Sequence, residues 1–258
     1  MTTPPADPAL LQAAREFAVE AGALTLSWFR RVELELEHKG DGTPVTAADK
    51  AAERRLRELI EAHAPGDTIL GEEEGHAPGD GPRRWVLDPI DGTKAFTRGV
   101  PLYSTLVAVE DEHGPAVGVI ELPALGQTVF AGRGLGATVA DRHGERPARV
   151  SGTASLAESL LTTSGFGSWN AGQMVAAHAS GATLRTWGDG YGYFLVATGG
   201  ADAMVDPIVA EWDVGPMSVI LTEAGGRFTG LDGGEGAACG SGLGTNGLLH
   251  DQLLELLA

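Results

Sequence analysis

The stretch RRWVLDPIDGTKAF, residues 83–96, carries the first decision about this chain. An apolar run, Trp85-Val86-Leu87, ends at Asp88, and a second acid, Asp91, follows across Pro89 and Ile90. A carboxylate just past a buried strand lies at a cleft mouth, where layered α/β proteins bind ligands. Pro89 stiffens the turn, so both side chains can point to one place, and two close carboxylates repel unless a cation lies between them. Gly92-Thr93 then opens a short helix whose free N–H groups and positive dipole end suit a phosphate.

Working outward, further acids fit the same picture. ILGEEEG puts Glu72 and Glu73 after another short apolar strand, and EWDVGPMSVIL puts Asp213 at the start of a helix. Hard oxygen donors gathered this way suit Mg2+ or Mn2+ rather than Zn2+. The seven histidines show no zinc spacing. Taken singly, each acid is equally a cap or a solvated charge, and DPIDGT alone is equally a calcium loop or a plain turn, although the EF-hand spacing is not met, which weakens the calcium version.

The flanking segments set the architecture. Residues 8–30 read as a helix capped by Asp7, and Thr46 caps a second helix over 47–63. From 84 to 140 near-alternating apolar residues predict an antiparallel, half-buried sheet. Beyond RVSGTAS, strands (159–163, 183–187, 203–206, 226–229) mix with helices near 170–179, 190–199, 214–225 and 247–257. This pattern predicts a layered α/β fold with subdomains over 1–145 and 146–258. The Gly-rich segment 232–247 reads as a surface connection, GRGLGA (132–137) as a strand turn, and Trp85 and Trp212 as core residues that position neighbouring acids.

Bulk composition narrows the function. The chain has 258 residues, 43% of them hydrophobic, a formal net charge of -17 and one cysteine, Cys239. The charge argues against nucleic acid or an anionic membrane as partner. No run approaches the length of a membrane span, and the N-terminus lacks the features of a secretory signal, so a cytoplasmic location is expected.

Assembled in order, GEEE (71–74), WVLDPIDGTKAF (85–96) and EWDVGP…TEAGG (211–226) resemble the inositol monophosphatase superfamily. KGDGTPVTAAD (39–49) and VATGGADAMVDP (196–207) also match its pattern. The resemblance implies an αβαβα sandwich, often a homodimer, and a Mg2+-dependent phosphomonoesterase holding two or three cations, with Mn2+ as substitute. It implies that Glu72, Asp88 and the Ile90 carbonyl hold one metal, and Asp88, Asp91 and Asp213 a second. Glu72 and Thr93 would position the attacking water, with Asp49 hydrogen-bonded to Thr93 and Lys39 nearby. The Gly92 and Thr93 N–H groups would bind phosphate.

GTKAFTRGVPLYSTLVAV (92–109) and LRTWGDGYGYFLVATG (184–199) look like the histidinol-phosphatase branch of that family. The resemblance makes Asp91, Asp189, Asp206 and Arg185 substrate-binding residues, with Asp189 and Asp206 facing a cationic amine. It implies hydrolysis of L-histidinol phosphate, a step of histidine biosynthesis. The alternatives are an inositol-1-phosphatase or other sugar phosphatase, and a non-catalytic metal- or phosphate-binding regulator. Gly190, where a bulkier residue is common, is expected to widen the pocket. Residues 165–182 give no reading of substrate contacts.

Overall fold

The computed structural model describes residues 3–31, 36–38 and 44–258, the backbone alone at 36–38 and 44–45. Lys39 lies outside the described residues. The first half contains α1 (Pro8–Leu26), β1 (Leu36–His38), β2 (Pro44–Thr46), α2 (Ala47–His63), β3 (Thr68–Gly71), β4 (Gly75–Ala77), β5 (Arg84–Asp91) and α3 (Thr93–Thr97). Five strands follow: β6 (Ser104–Asp111), β7 (Gly114–Leu122), β8 (Gln127–Gly132), β9 (Gly136–Asp141) and β10 (Gly144–Pro147). The second half contains β11 (Leu160–Thr162), α4 (Ala171–Ala179), β12 (Thr183–Arg185), α5 (Asp189–Ala197) and β13 (Ala203–Asp206). It closes with α6 (Glu211–Val214), α7 (Met217–Ala224), β14 (Arg227–Thr229), β15 (Gly242–Thr245) and α8 (His250–Leu257).

An eight-stranded sheet runs in the order β10-β9-β8-β7-β6-β5-β3-β4, and a five-stranded sheet in the order β12-β11-β13-β15-β14. Helices α1 and α2 cover the outer face of the large sheet. Helices α5 and α7 lie between the sheets, and α8, paired with α4, lies against the small one. The result is the expected αβαβα layering. One apolar cluster joins Leu106, Ile120 and Val129 of the large sheet to Tyr193, Val196, Met217 and Ile220 of the middle helices. A second buries Phe17, Leu56 and Trp85 beneath α1 and α2.

Several sequence expectations need correction. The central strands of the large sheet are buried on both faces rather than half-buried, because helices cover each side: β6 reads buried along six consecutive residues, whereas β9 alternates and β10 is exposed. Its strands are antiparallel except where β3 runs parallel to β5. The 232–247 segment is more than a surface connection: Gly242–Thr245 is a wholly buried strand between β13 and β14. Its glycines hid it, since at Gly244 a Cβ would stand 2.9 Å from the Tyr193 ring and 2.7 Å from Leu221. The helix expected over 214–225 breaks at Gly215-Pro216, where Pro216 cannot donate to the ladder of the preceding turn. The first helix ends at Leu26, not residue 30. Thr46 does cap α2, in a reciprocal capping box with Asp49.

Candidate active site

Two strand-end relationships build the site. Parallel pairing sets Gly71 of β3 beside Leu87 of β5, and the Glu72 N–H donates to the Leu87 carbonyl at 3.2 Å. The next residue on each strand is therefore an acid, Glu72 beside Asp88. The β5 strand does not stop at Asp88 but runs on to Asp91. Against β6, Asp88 pairs with Leu106 and Asp91 with Ser104, so one extra residue is inserted between the two acids. In a regular strand side chains three apart point to opposite faces; the bulge turns both to one face. Pro89 is tolerated in this central strand because it lies in the bulge, where its carbonyl accepts from Thr105 Oγ1 at 2.8 Å.

Asp213 arrives from the other side, in the single turn of α6, where its Oδ2 accepts the Ala210 N–H at 2.7 Å. Carboxylate oxygens of Asp88, Asp91 and Asp213 all lie within 4.8 Å of one another. Asp91 is fixed from behind by Ser104 Oγ at 2.6 Å and by the Gly190 N–H. Gly190 therefore does not widen the pocket. It is buried, and a Cβ there would stand 2.2 Å from Ser104 Oγ and 2.8 Å from Asp91 Oδ2.

The cluster forms one wall of an open cleft of about 1040 Å³. Gly92, Thr93, Lys94 and Arg98 line it from α3 and its approach, and Ser164, Asp189, Asp206 and Trp212 from the second half. Trp212 is thus half-exposed at the cleft rather than a core residue, whereas Trp85 is fully buried and donates Nε1–H to Asp67 at 3.0 Å.

Asp206 ends β13 beside the chain leaving β11. It accepts from the Ser164 N–H at 2.9 Å, Ser164 Oγ at 2.8 Å and Thr163 Oγ1 at 3.2 Å. Ser164 Oγ also accepts the Asp189 N–H at 2.8 Å, so one hydroxyl spaces both acids. Asp189 has a left-handed backbone, φ 53°, at the first residue of α5. Its carboxylate reaches back toward Gly92, where a Cβ would meet Asp189 Oδ2 at 3.0 Å. Sequence reasoning missed Ser164, Ser104 and Arg98; the first of these adjoins the segment that gave no reading.

Two expected placements differ. Arg185 lies on the edge strand β12 and is not among the cleft-lining residues; its Nη1 donates to the Leu184 carbonyl and its guanidinium lies 5.8 Å from the Trp187 ring centre. Asp49 accepts from Thr46, through the N–H at 2.8 Å and Oγ1 at 2.5 Å, and Thr93 Oγ1 donates to the Ile90 carbonyl at 3.0 Å. No hydrogen bond joins Asp49 to Thr93 among the described residues; Asp49 Oδ1 is buried without a partner there.

The electrostatics are those of an uncompensated anionic nest. Burial, then Glu72, Asp91 and Asp213, push the Asp88 carboxyl well above its ordinary range, and Asp88 Oδ1 is buried with no hydrogen-bond partner among the described residues. Burial, followed by Asp189 and Asp213, does the same to Asp91. Burial raises Asp213 to about 6, with Glu72, Asp189 and Asp206 adding to it. Asp189 is raised to about 6, by burial and then by Asp206. Buried like charges with an orphaned oxygen are stable as a set when a cation shares them, so these residues fit a divalent ion. An all-oxygen donor set is that of a hard cation.

A helix-and-sheet sandwich with converging strand-end acids is the frame of a metal-dependent phosphomonoesterase. A sequence profile of the Inositol monophosphatase family matches residues 8–258, and the chain belongs to that family. The histidinol-phosphatase of Mycobacterium tuberculosis is 41% identical over 254 residues, spanning 96% of this chain and 97% of that protein. The histidinol-phosphatase of Streptomyces coelicolor is 39% identical, spanning 96% of each chain. Among solved structures, the extragenic suppressor protein suhB of Bartonella henselae superposes with a TM-score of 0.88 at 26% identity, over 96% of this chain and 98% of that one. Among the described residues no helix is long and apolar enough to cross a membrane.

Proposed function

We propose that the protein hydrolyses L-histidinol phosphate to L-histidinol and phosphate in a Mg2+-dependent reaction. The observation that carries this reading is the Asp189–Ser164–Asp206 bridge, which sets two further acids beside the Asp88, Asp91 and Asp213 cluster. The cluster alone suffices to hold cations. The bridge adds two more acids at the same cleft, which complement an amine-bearing alcohol better than a neutral cyclitol. The similarity to two histidinol-phosphatases supports the same substrate.

In this reading Asp88, Asp91, Asp213, Glu72 and the Ile90 carbonyl would hold the ions. Bound divalent cations would neutralise the phosphoryl oxygens and lower the pKa of an attacking water. The chain's own residues do the positioning. Glu72 and the Thr93 hydroxyl orient the water, and Asp49, whose carboxyl feels the Glu72 charge, keeps Oδ1 open among the described residues. Backbone N–H groups at Gly92 and Thr93 receive the phosphate, and Lys94 stands close enough to Asp189 to favour its ionised form. Positioning and charge stabilisation together supply most of the acceleration in phosphoryl transfer. A homodimer in the cytoplasm completes the reading.

The test is phosphate release from L-histidinol phosphate and from inositol 1-phosphate with Mg2+, compared as kcat/KM. A higher kcat/KM for inositol 1-phosphate overturns the substrate assignment. Full turnover in excess chelator overturns the metal.

A further inference from the structure

We propose that Glu53 is a positioning residue for Glu72, acting through a buried carboxylate clamp that it forms with Arg57. The proposal rests on the reading of Glu72 as a site residue.

Glu53 is on α2, one helical turn after Asp49 and on the same buried face. Its side chain has no exposed surface. Such a group is rare unless its charge is matched, and here it is. Glu53 Oε2 accepts the Glu73 N–H at 2.7 Å and Oε1 accepts the Glu74 N–H at 2.9 Å. Arg57, four residues on, donates Nε to Oε1 at 2.9 Å and Nη2 to the Gly75 carbonyl at 2.6 Å. The clamp thus holds the backbone of 73, 74 and 75, where the turn after β3 runs into β4.

Glu72 lies immediately before the gripped amides. Its own N–H is the last bond of the β3–β5 pairing, to Leu87. The backbone at Glu72 is therefore fixed on both sides, by the sheet before it and by Glu53 after it. The Glu72 side chain is thereby presented to Asp88, on the paired strand, which feels the Glu72 charge directly. Gly71 makes the approach possible: a Cβ there would stand 2.2 Å from Glu53 Oε1 and 2.8 Å from Arg57 Nη2. Charge-assisted bonds to two consecutive amides are among the stronger restraints a side chain can place on a turn. Groups that orient site residues in this way change metal affinity or activity by about 10–100-fold when removed.

The experiment compares wild type, Glu53→Gln, Glu72→Gln and the double variant, each verified as folded by circular dichroism and thermal unfolding. Glu53→Gln keeps the volume but replaces one acceptor with a donor facing donors. Its kcat on L-histidinol phosphate should fall about tenfold or more, with KM changed much less. Calorimetry should show weaker Mg2+ binding. The double variant should be no slower than Glu72→Gln alone, because Glu53 acts through Glu72. A purely structural role would lower the unfolding temperature and leave kcat of the folded protein unchanged; that result overturns the proposal. If Glu53→Gln does not fold, Arg57→Lys, which keeps the charge and loses the fork, carries the same expectations and the same overturning result. Glu72→Gln separates the two levels: wild-type turnover in that variant sinks the site reading, whereas a dead Glu72→Gln beside a fully active Glu53→Gln sinks only the clamp.

Discussion

Arg84 opens β5, the strand that ends in Asp88 and Asp91, and its Nη1 donates to Glu211, two residues before Asp213. The same nitrogen donates to Glu110 at the end of β6 at 3.1 Å. One guanidinium therefore ties the segments that deliver three carboxylates from distant parts of the chain. Arg84→Ala is expected to lower stability by about 1 kcal/mol, the worth of a partly exposed pair, and to weaken Mg2+ binding. Thermal unfolding gives the first effect and calorimetry the second. Unchanged Mg2+ affinity would leave the pair as a surface contact only.

Asp189→Asn keeps shape and removes charge. With L-histidinol phosphate, kcat/KM should drop by about 10–100-fold, the loss of one charge-assisted bond. With inositol 1-phosphate it should hold or rise. Equal slowing of both substrates would mean that Asp189 serves the site's structure and not recognition of the amine.

The raised carboxyls fix the sign of a pH effect. Asp213 in the folded protein titrates at about 6, above the ordinary Asp value of 3.8. The folded state therefore binds the proton more tightly than the unfolded state, and stability is lost as pH rises through that window. In metal-free protein, Asp213→Asn should raise the unfolding temperature above pH 6, and the gain should fade toward pH 4. Added Mg2+ should stabilise wild type and not the variant. A wild type that gains nothing from Mg2+ at pH 7.5 would contradict the shared-cation account.

Gly190→Ala tests the close packing behind Asp91. The new methyl would stand 2.2 Å from Ser104 Oγ and 2.8 Å from Asp91 Oδ2, so one of them must move. Overpacking of this kind costs about 1–3 kcal/mol. Turnover should fall about tenfold or more because the displaced group is a site carboxylate. Wild-type rates at wild-type stability would show that the loop relaxes freely.

Much of the site was legible because its residue types and spacing are local. Asp88, Asp91 and Asp213 could be named from strand-end and helix-start positions, and they meet. Arg185 was named from its place four residues before Asp189; it lies on the edge strand β12 and is not among the residues that line the cleft. Ser164 and Glu53 carried no local signal, since a serine in a loop and a glutamate in a helix are ordinary there.

From its own patterning, the sequence determined the layered α/β class, the capped helices and the acids that gather at strand ends, because capping, periodicity and turn chemistry act over a few residues. Tertiary structure alone decided that the Pro89 bulge aims two acids the same way, that a glycine-rich segment becomes the buried β15, and that Ser164 joins Asp189 to Asp206. Each depends on which strand lies alongside, and pairing between distant segments is set by the packing of the whole core rather than by any short run of residues.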